Sequence, residues 1–180
     1  VGARLIPRGA AFRVWAPRRR QVAVRLEYGP GAPTLVPMAP AGNGYFAVEI
    51  ASAAVGTGYR YLLDAAEARP DPASRFQPQG VHGPSEIVDA AAFHWADAAW
   101  RGVAMAESVF YELHIGTFTP EGTFDAVIGR LDHLVELGVT TIELMPVAAF
   151  PGVSNWGYDG VHLFAPQASY GGPGGLRRLV

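Results

Sequence analysis

Apolar and polar positions alternate in short runs through the first ninety residues, and then give way to a longer helical period. The runs at 11–15, 21–28, 34–38, 45–50, 59–64 and 86–89 are separated by proline, glycine and other turn residues. Arg13 stands between Phe12 and Val14, and Val22, Val24 and Leu26 occupy one face of their run, as side chains of a half-buried strand do. Segments of this length and spacing predict an antiparallel β-sandwich over 1–90. Gly42-Asn43-Gly44 superficially matches a dinucleotide-binding loop, but it leads into the run 45–50 rather than into a helix. Asn-Gly between two strands predicts instead a type I′ hairpin turn, which needs positive φ at both central residues.

The segment 91–107 connects the two textures, and its Trp95 and Trp100 are expected to pack across the joint. Beyond it a β-run at 109–118, a helix at 123–137 and a second strand at 139–145 are predicted. Phe124, Val127, Ile128, Leu131, Leu134 and Val135 follow the i, i+3, i+4, i+7 spacing of one helix face. Thr123 suits the N-cap, Asp125 complements the dipole of the first turn, and Gly138 suits the stop. Each large side chain buried on that face contributes about 1.5–3 kcal/mol. The order strand, helix, strand over about 30 residues predicts one right-handed parallel βαβ unit. Gly171-Gly172-Pro173 then opens another helix, with Leu176, Leu179 and Val180 beginning its apolar stripe. A (β/α)8 TIM barrel takes about 250 residues, so 108–180 is expected to be the first part of one, truncated.

Composition narrows the function classes. With 180 residues, 49% hydrophobic and 17% charged, the chain can bury a core in one ordinary domain, or in a small domain plus part of another. All 14 basic residues are arginine, and without lysine neither a P-loop nor a Schiff base can form. A net charge of −2 disfavours a nucleic-acid partner. The absence of cysteine excludes disulfides, thiol catalysis and thiolate metal sites. No apolar run approaches the roughly 18 residues of a membrane span, and nothing resembles a signal peptide, so a soluble cytoplasmic protein is expected.

The candidate chemistry gathers at Trp156-Gly157-Tyr158-Asp159, after the apolar run 142–146. A sugar face stacks on an aromatic ring while its hydroxyls bond a carboxylate, and this loop supplies both. Tyr158 is either a stacking platform or a buried ring fastening the loop. Asp159 either binds ligand or orders its own backbone, and Trp156 either packs or binds. Glu112 and His114, two apart on one strand, read as a hydrogen-bonded structural pair or as an acid/base pair, and Glu143 as a buried member of such a network. His82, His94, His133 and His162 show no metal-ligand spacing, and Gly152 to Trp156 lacks the second glycine of a nucleophile elbow. Arg18-Arg19-Arg20 reads as a solvated turn. Trp15, Trp95 and Trp100 are packing residues or a starch-binding platform.

Several runs carry a family resemblance. Tyr111-Glu112-Leu113-His114-Ile115-Gly116-Thr117-Phe118-Thr119 and Ile142-Glu143-Leu144-Met145-Pro146 resemble the first two barrel strands of the α-amylase superfamily, glycoside hydrolase family 13. Asn155-Trp156-Gly157-Tyr158-Asp159, Ala165-Pro166 and Tyr170-Gly171 resemble the loop after the second strand. Phe12-Arg13-Val14-Trp15-Ala16-Pro17 resembles the opening of the superfamily's N-terminal immunoglobulin-like, carbohydrate-binding-module-like domain. The stretches 69–78 and 80–85 resemble the trehalose-releasing members more than the branching enzymes. This resemblance implies a retaining glycosidase acting on maltooligosaccharide or maltooligosyltrehalose, with no cofactor. Its two catalytic carboxyl groups, about 5–5.5 Å apart, would come from later strands beyond Val180, so no catalytic residue is assigned here. It further implies that Tyr158 stacks on the sugar, with Asp159 and Trp156 shaping the same pocket. A non-catalytic α-glucan-binding module, or part of a branching or debranching enzyme, is the alternative.

Overall fold

The computed structural model describes residues 1–180. Nine strands occupy the first half: β1 (Gly2–Ile6), β2 (Gly9–Trp15), β3 (Val22–Tyr28), β4 (Thr34–Pro37), β5 (Ala39–Pro40), β6 (Tyr45–Ile50), β7 (Gly58–Leu63), β8 (Glu67–Arg69) and β9 (Ser85–Glu86). They form two antiparallel sheets, ordered β1-β2-β6-β5 and β4-β3-β7-β8, with β9 alongside β7. Phe12, Val14 and Phe46 of the first sheet meet Val22, Val24, Leu26, Tyr59 and Tyr61 of the second in one core. This is the expected β-sandwich. Its hairpin between β5 and β6 has φ of 49° at Asn43 and 78° at Gly44, closed by the Tyr45 N–H donating to the Gly42 carbonyl at 2.9 Å. Asn-Gly therefore forms the type I′ turn it predicts. Strands β1, β5 and β8 were not expected. All are short or at sheet edges, where alternation is weak.

The second half runs β10 (Phe110–Leu113), α1 (Ile115–Phe118), α2 (Phe124–Ile128), α3 (Leu131–Glu136), β11 (Thr141–Leu144), β12 (Ala148–Ala149), β13 (His162–Pro166) and α4 (Gly172–Leu179). β10 and β11 pair in parallel, Phe110 opposite Thr141 through Leu113 opposite Leu144. Their helices close a βαβ unit, and a parallel sheet of two strands is what these residues form.

Two predicted elements change. The run 109–118 is not one strand, because His114 caps a helical turn and its carbonyl accepts from the Thr117 and Phe118 amides at 3.1 and 3.0 Å. The helix predicted over 123–137 breaks at Gly129-Arg130, where the Arg130 N–H bonds the Val127 carbonyl three residues back. Glycine is a poor helix former, and the tighter turn rotates the second piece. Phe124, Val127 and Leu134 remain buried, but Val135 is 69% exposed.

The ends of this helical segment follow local chemistry. Gly138, at φ 83°, donates to the Val135 carbonyl, and the Val139 N–H bonds Leu134, a Schellman closure. The Thr123 hydroxyl accepts from the Ala126 N–H at 3.3 Å. Thr123→Ala is accordingly expected to cost about 1 kcal/mol in urea denaturation, with an unchanged m-value.

The joint between the halves is not made by 91–107. Trp100 is 71% exposed, and Trp95 sits edge-on to Phe93 with its ring half open to solvent. The loop between β8 and β9 makes the joint instead. Val81 packs with Ala149 and Ala165, and Phe76 lies so close to Gly172 that a Cβ there would meet its ring at 2.7 Å. That loop is held to the sandwich by fully buried Asp71, whose carboxylate accepts from the Tyr59 hydroxyl at 2.6 Å and the Ala73 amide at 2.8 Å. No helix is long and apolar enough to cross a membrane.

Candidate functional site

Past β11, Pro146 leads into a hairpin whose base is the antiparallel pair β12–β13 and whose tip is 150–161. Gln167, nearly fully buried, clamps the base. Its Oε1 accepts from the Phe150 amide at 3.1 Å, its Nε2 donates to the Gly152 carbonyl and the Ser169 hydroxyl, and its own N–H reaches Val147 at 2.8 Å. Phe150 is buried against Tyr170, ring centroids 5.6 Å apart.

The tip is shaped by two residues. Asn155 Oδ1 accepts from the Gly157 N–H at 2.9 Å, an Asx turn. Gly157 has φ 93° and passes so near the end of β11 that a Cβ would lie 3.2 Å from Pro146 Cδ. Only glycine meets both conditions without strain. With the backbone pinned on Pro146, the neighbouring side chains turn outward: Trp156 is 82% exposed, Tyr158 74%, and Asp159 is exposed beside them. Within residues 1–180 neither Trp156 nor Tyr158 is buried.

The expected pairing of Glu112 with His114 is not formed. β10 ends at Leu113, so His114 leaves the strand face, and its Nε2 lies 3.4 Å from the Tyr170 hydroxyl. Its Nδ1 lies 3.4 Å from Thr117 Oγ1. Burial raises the Tyr170 hydroxyl above its ordinary pKa, so it stays neutral beside the imidazole. Within residues 1–180 Glu143 is exposed and stands opposite Glu112 in the ladder. No three His, Asp or Glu side chains cluster as a metal site would need. A concavity of about 860 Å3 lies elsewhere, between Trp100, Met105, Phe110, Ile142 and Val180.

Sequence reasoning singled out Trp156, Tyr158 and Asp159 but not the residues that hold them. Gln167, Phe150 and His162 belong to no motif, and only the Ala165-Pro166 and Tyr170-Gly171 resemblances lie near them.

No family model matches the chain. Known proteins do. The chain is 49% identical over 180 residues to a malto-oligosyltrehalose trehalohydrolase of Saccharolobus solfataricus and 48% identical over 184 to one of Deinococcus radiodurans. Those matches take in 99% and 100% of the chain but 31% and 29% of the relatives, so the chain spans about a third of their length. Among solved structures, a Salmonella typhimurium protein described as an alpha amylase superposes with a TM-score of 0.92 at 43% identity, over 99% of this chain and 30% of that one. A pullulanase from Anoxybacillus, crystallised with maltotetraose, superposes at 0.80 with 27% identity, over 94% and 29%. Residues 1–180 thus match the N-terminal portion of the malto-oligosyltrehalose trehalohydrolases.

Proposed function

We propose that these residues are the N-terminal part of a retaining α-glucan hydrolase that cleaves the α-1,4 bond beside the terminal trehalose of maltooligosyltrehalose and releases trehalose. The observation carrying this reading is the 49% identity to a trehalohydrolase across nearly the whole chain. The 27% identity to a pullulanase is much lower, which favours trehalose release over debranching. In this reading 1–90 is an immunoglobulin-like sandwich, 91–107 a connecting segment, and 108–180 the start of a (β/α)8 barrel in a cytoplasmic enzyme. The β10–β11 pair supplies the first two staves of that barrel. The hairpin after β11 then lies at the C-terminal end of the strands, where sites of this fold are built.

There Tyr158 offers its open ring to the face of a glucose unit. Asp159 accepts hydrogen bonds from sugar hydroxyls, and Trp156 borders the same pocket. Hydroxyls bonded to a carboxylate and a ring face covered by an aromatic hold the sugar in one orientation, which lowers the entropic part of the barrier. The nucleophile and the acid/base, each a carboxyl group, come from other strands of the complete enzyme.

The 180-residue chain is expected to release no trehalose from maltooligosyltrehalose in a chromatographic assay in which the complete enzyme does so. Release by the 180-residue chain would put the catalytic carboxylates within it and overturn this division of labour.

A further inference from the structure

One buried polar contact joins the two halves of the chain. His162, 4% exposed at the start of β13, places Nε2 3.0 Å from the carbonyl oxygen of Val81. A carbonyl only accepts, so Nε2 carries the hydrogen. Nδ1 is buried with no partner, which leaves the Nε2 bond and the packing around it as the ring's contribution here.

Each end of this bond is tied to something specific. His162 pairs with Ala149 across β12–β13, so the contact acts on the base of the hairpin that carries Trp156, Tyr158 and Asp159. Val81 lies in a turn gripped by Gln77, whose Nε2 donates to the carbonyls of Gly80 and Gly83 on either side. Gln77 Oε1 accepts from the Ser85 hydroxyl at 2.5 Å, and that hydroxyl accepts from the Asp71 amide. Asp71 closes the series on Tyr59 in the sandwich core. An unbroken set of bonds therefore runs from the sandwich core to the hairpin.

We propose that His162 is a positioning residue: through Val81 it locks the hairpin to the sandwich, and the sandwich thereby sets where the saccharide-facing side chains stand. The final clause rests on the function proposed above, whereas the lock itself does not.

The lock is tested on the 180-residue chain by amide hydrogen exchange, without sugar. His162→Leu keeps apolar bulk and removes the donor, while His162→Gln returns an N–H near the Nε2 position. His162→Leu is expected to speed exchange at the Val161 and Gln167 amides, which bond Ala149 and Val147, about tenfold. Amides of β3 and β7 should keep their rates, and His162→Gln should restore most of the protection. Unchanged hairpin exchange overturns the lock, and so does equal acceleration in the sandwich, which would mean general stability alone. Should His162→Leu not fold, His162→Phe, which keeps a ring and likewise lacks the donor, carries the same comparison with the same two outcomes.

In the complete enzyme, His162→Leu is expected to lower kcat/KM for maltooligosyltrehalose about tenfold, kcat falling with it, and His162→Gln to restore both. A hairpin loosened in exchange with unchanged kcat/KM upholds the lock and overturns the saccharide role of the hairpin, so the two failures are distinguishable.

Discussion

Replacing Tyr158 with alanine in the complete enzyme is expected to lower turnover at least about tenfold, a loss of about 1.4 kcal/mol from the transition state. The ring is 74% exposed and belongs to no core cluster, so its removal takes little packing from the fold. Covering an open ring with a sugar face removes apolar area from water at about 25 cal/mol per Å2, so roughly 60 Å2 suffices for the tenfold effect. Tyr158→Phe, which keeps the face and loses only the hydroxyl, should retain most of the activity. Steady-state kinetics of the two variants, with urea midpoints alongside, separate stacking from folding. Wild-type kinetics in Tyr158→Ala would remove the stacking role.

The largest effect on stability is expected at Asp71. Its carboxylate takes the Tyr59 hydroxyl and the Ala73 amide, and Tyr61 approaches the same oxygen at 3.4 Å. Asp71→Ala leaves the buried Tyr59 hydroxyl and the half-buried Ala73 amide without their partner, at up to about 1–3 kcal/mol each, offset in part by removing a desolvated acid. A net loss of about 3 kcal/mol in urea denaturation is expected, and a loss below about 1 kcal/mol would show that water or neighbouring groups take over both bonds.

The pH dependence at this site has a definite sign. Burial raises the Asp71 carboxyl above its ordinary 3.8, with the Tyr59 and Ala73 hydrogen bonds acting the other way. A raised folded-state pKa means that the folded state holds the proton more tightly. Its stabilising contribution is complete below pH 3.8 and is lost as pH rises through the folded value. Asp71→Asn cannot ionise, so this decline should be missing from its stability profile above pH 3.8.

Much of the architecture was legible along the chain because it depends on near neighbours. The strand 45–50 matches β6 residue for residue, since its boundaries are an Asn-Gly turn and a change of polarity. Thr123 and Gly138 bound the helical segment through bonds to residues three to five positions away. The parallel pairing of β10 with β11 follows from the length and period of what lies between them. The loop at Trp156, Tyr158 and Asp159 could be singled out for the same reason: its three side chains stand within four positions, and the structure leaves all of them exposed.

Other features depend on groups distant in sequence or on competing packing. Nothing in the 123–137 pattern says that Val135 faces solvent, because a single glycine rotates the face after 129. The hairpin β12–β13 was invisible, since two-residue strands of alanine and a mixed run beginning at His162 carry no period of their own. His162 gave no sign of its role, because its partner carbonyl lies 81 residues earlier in another sheet's loop. Backbone turns and caps are local chemistry, and local sequence specifies them. Which ring is left open to solvent, and which histidine joins two halves of the chain, depends on surfaces that come together only when both halves have folded.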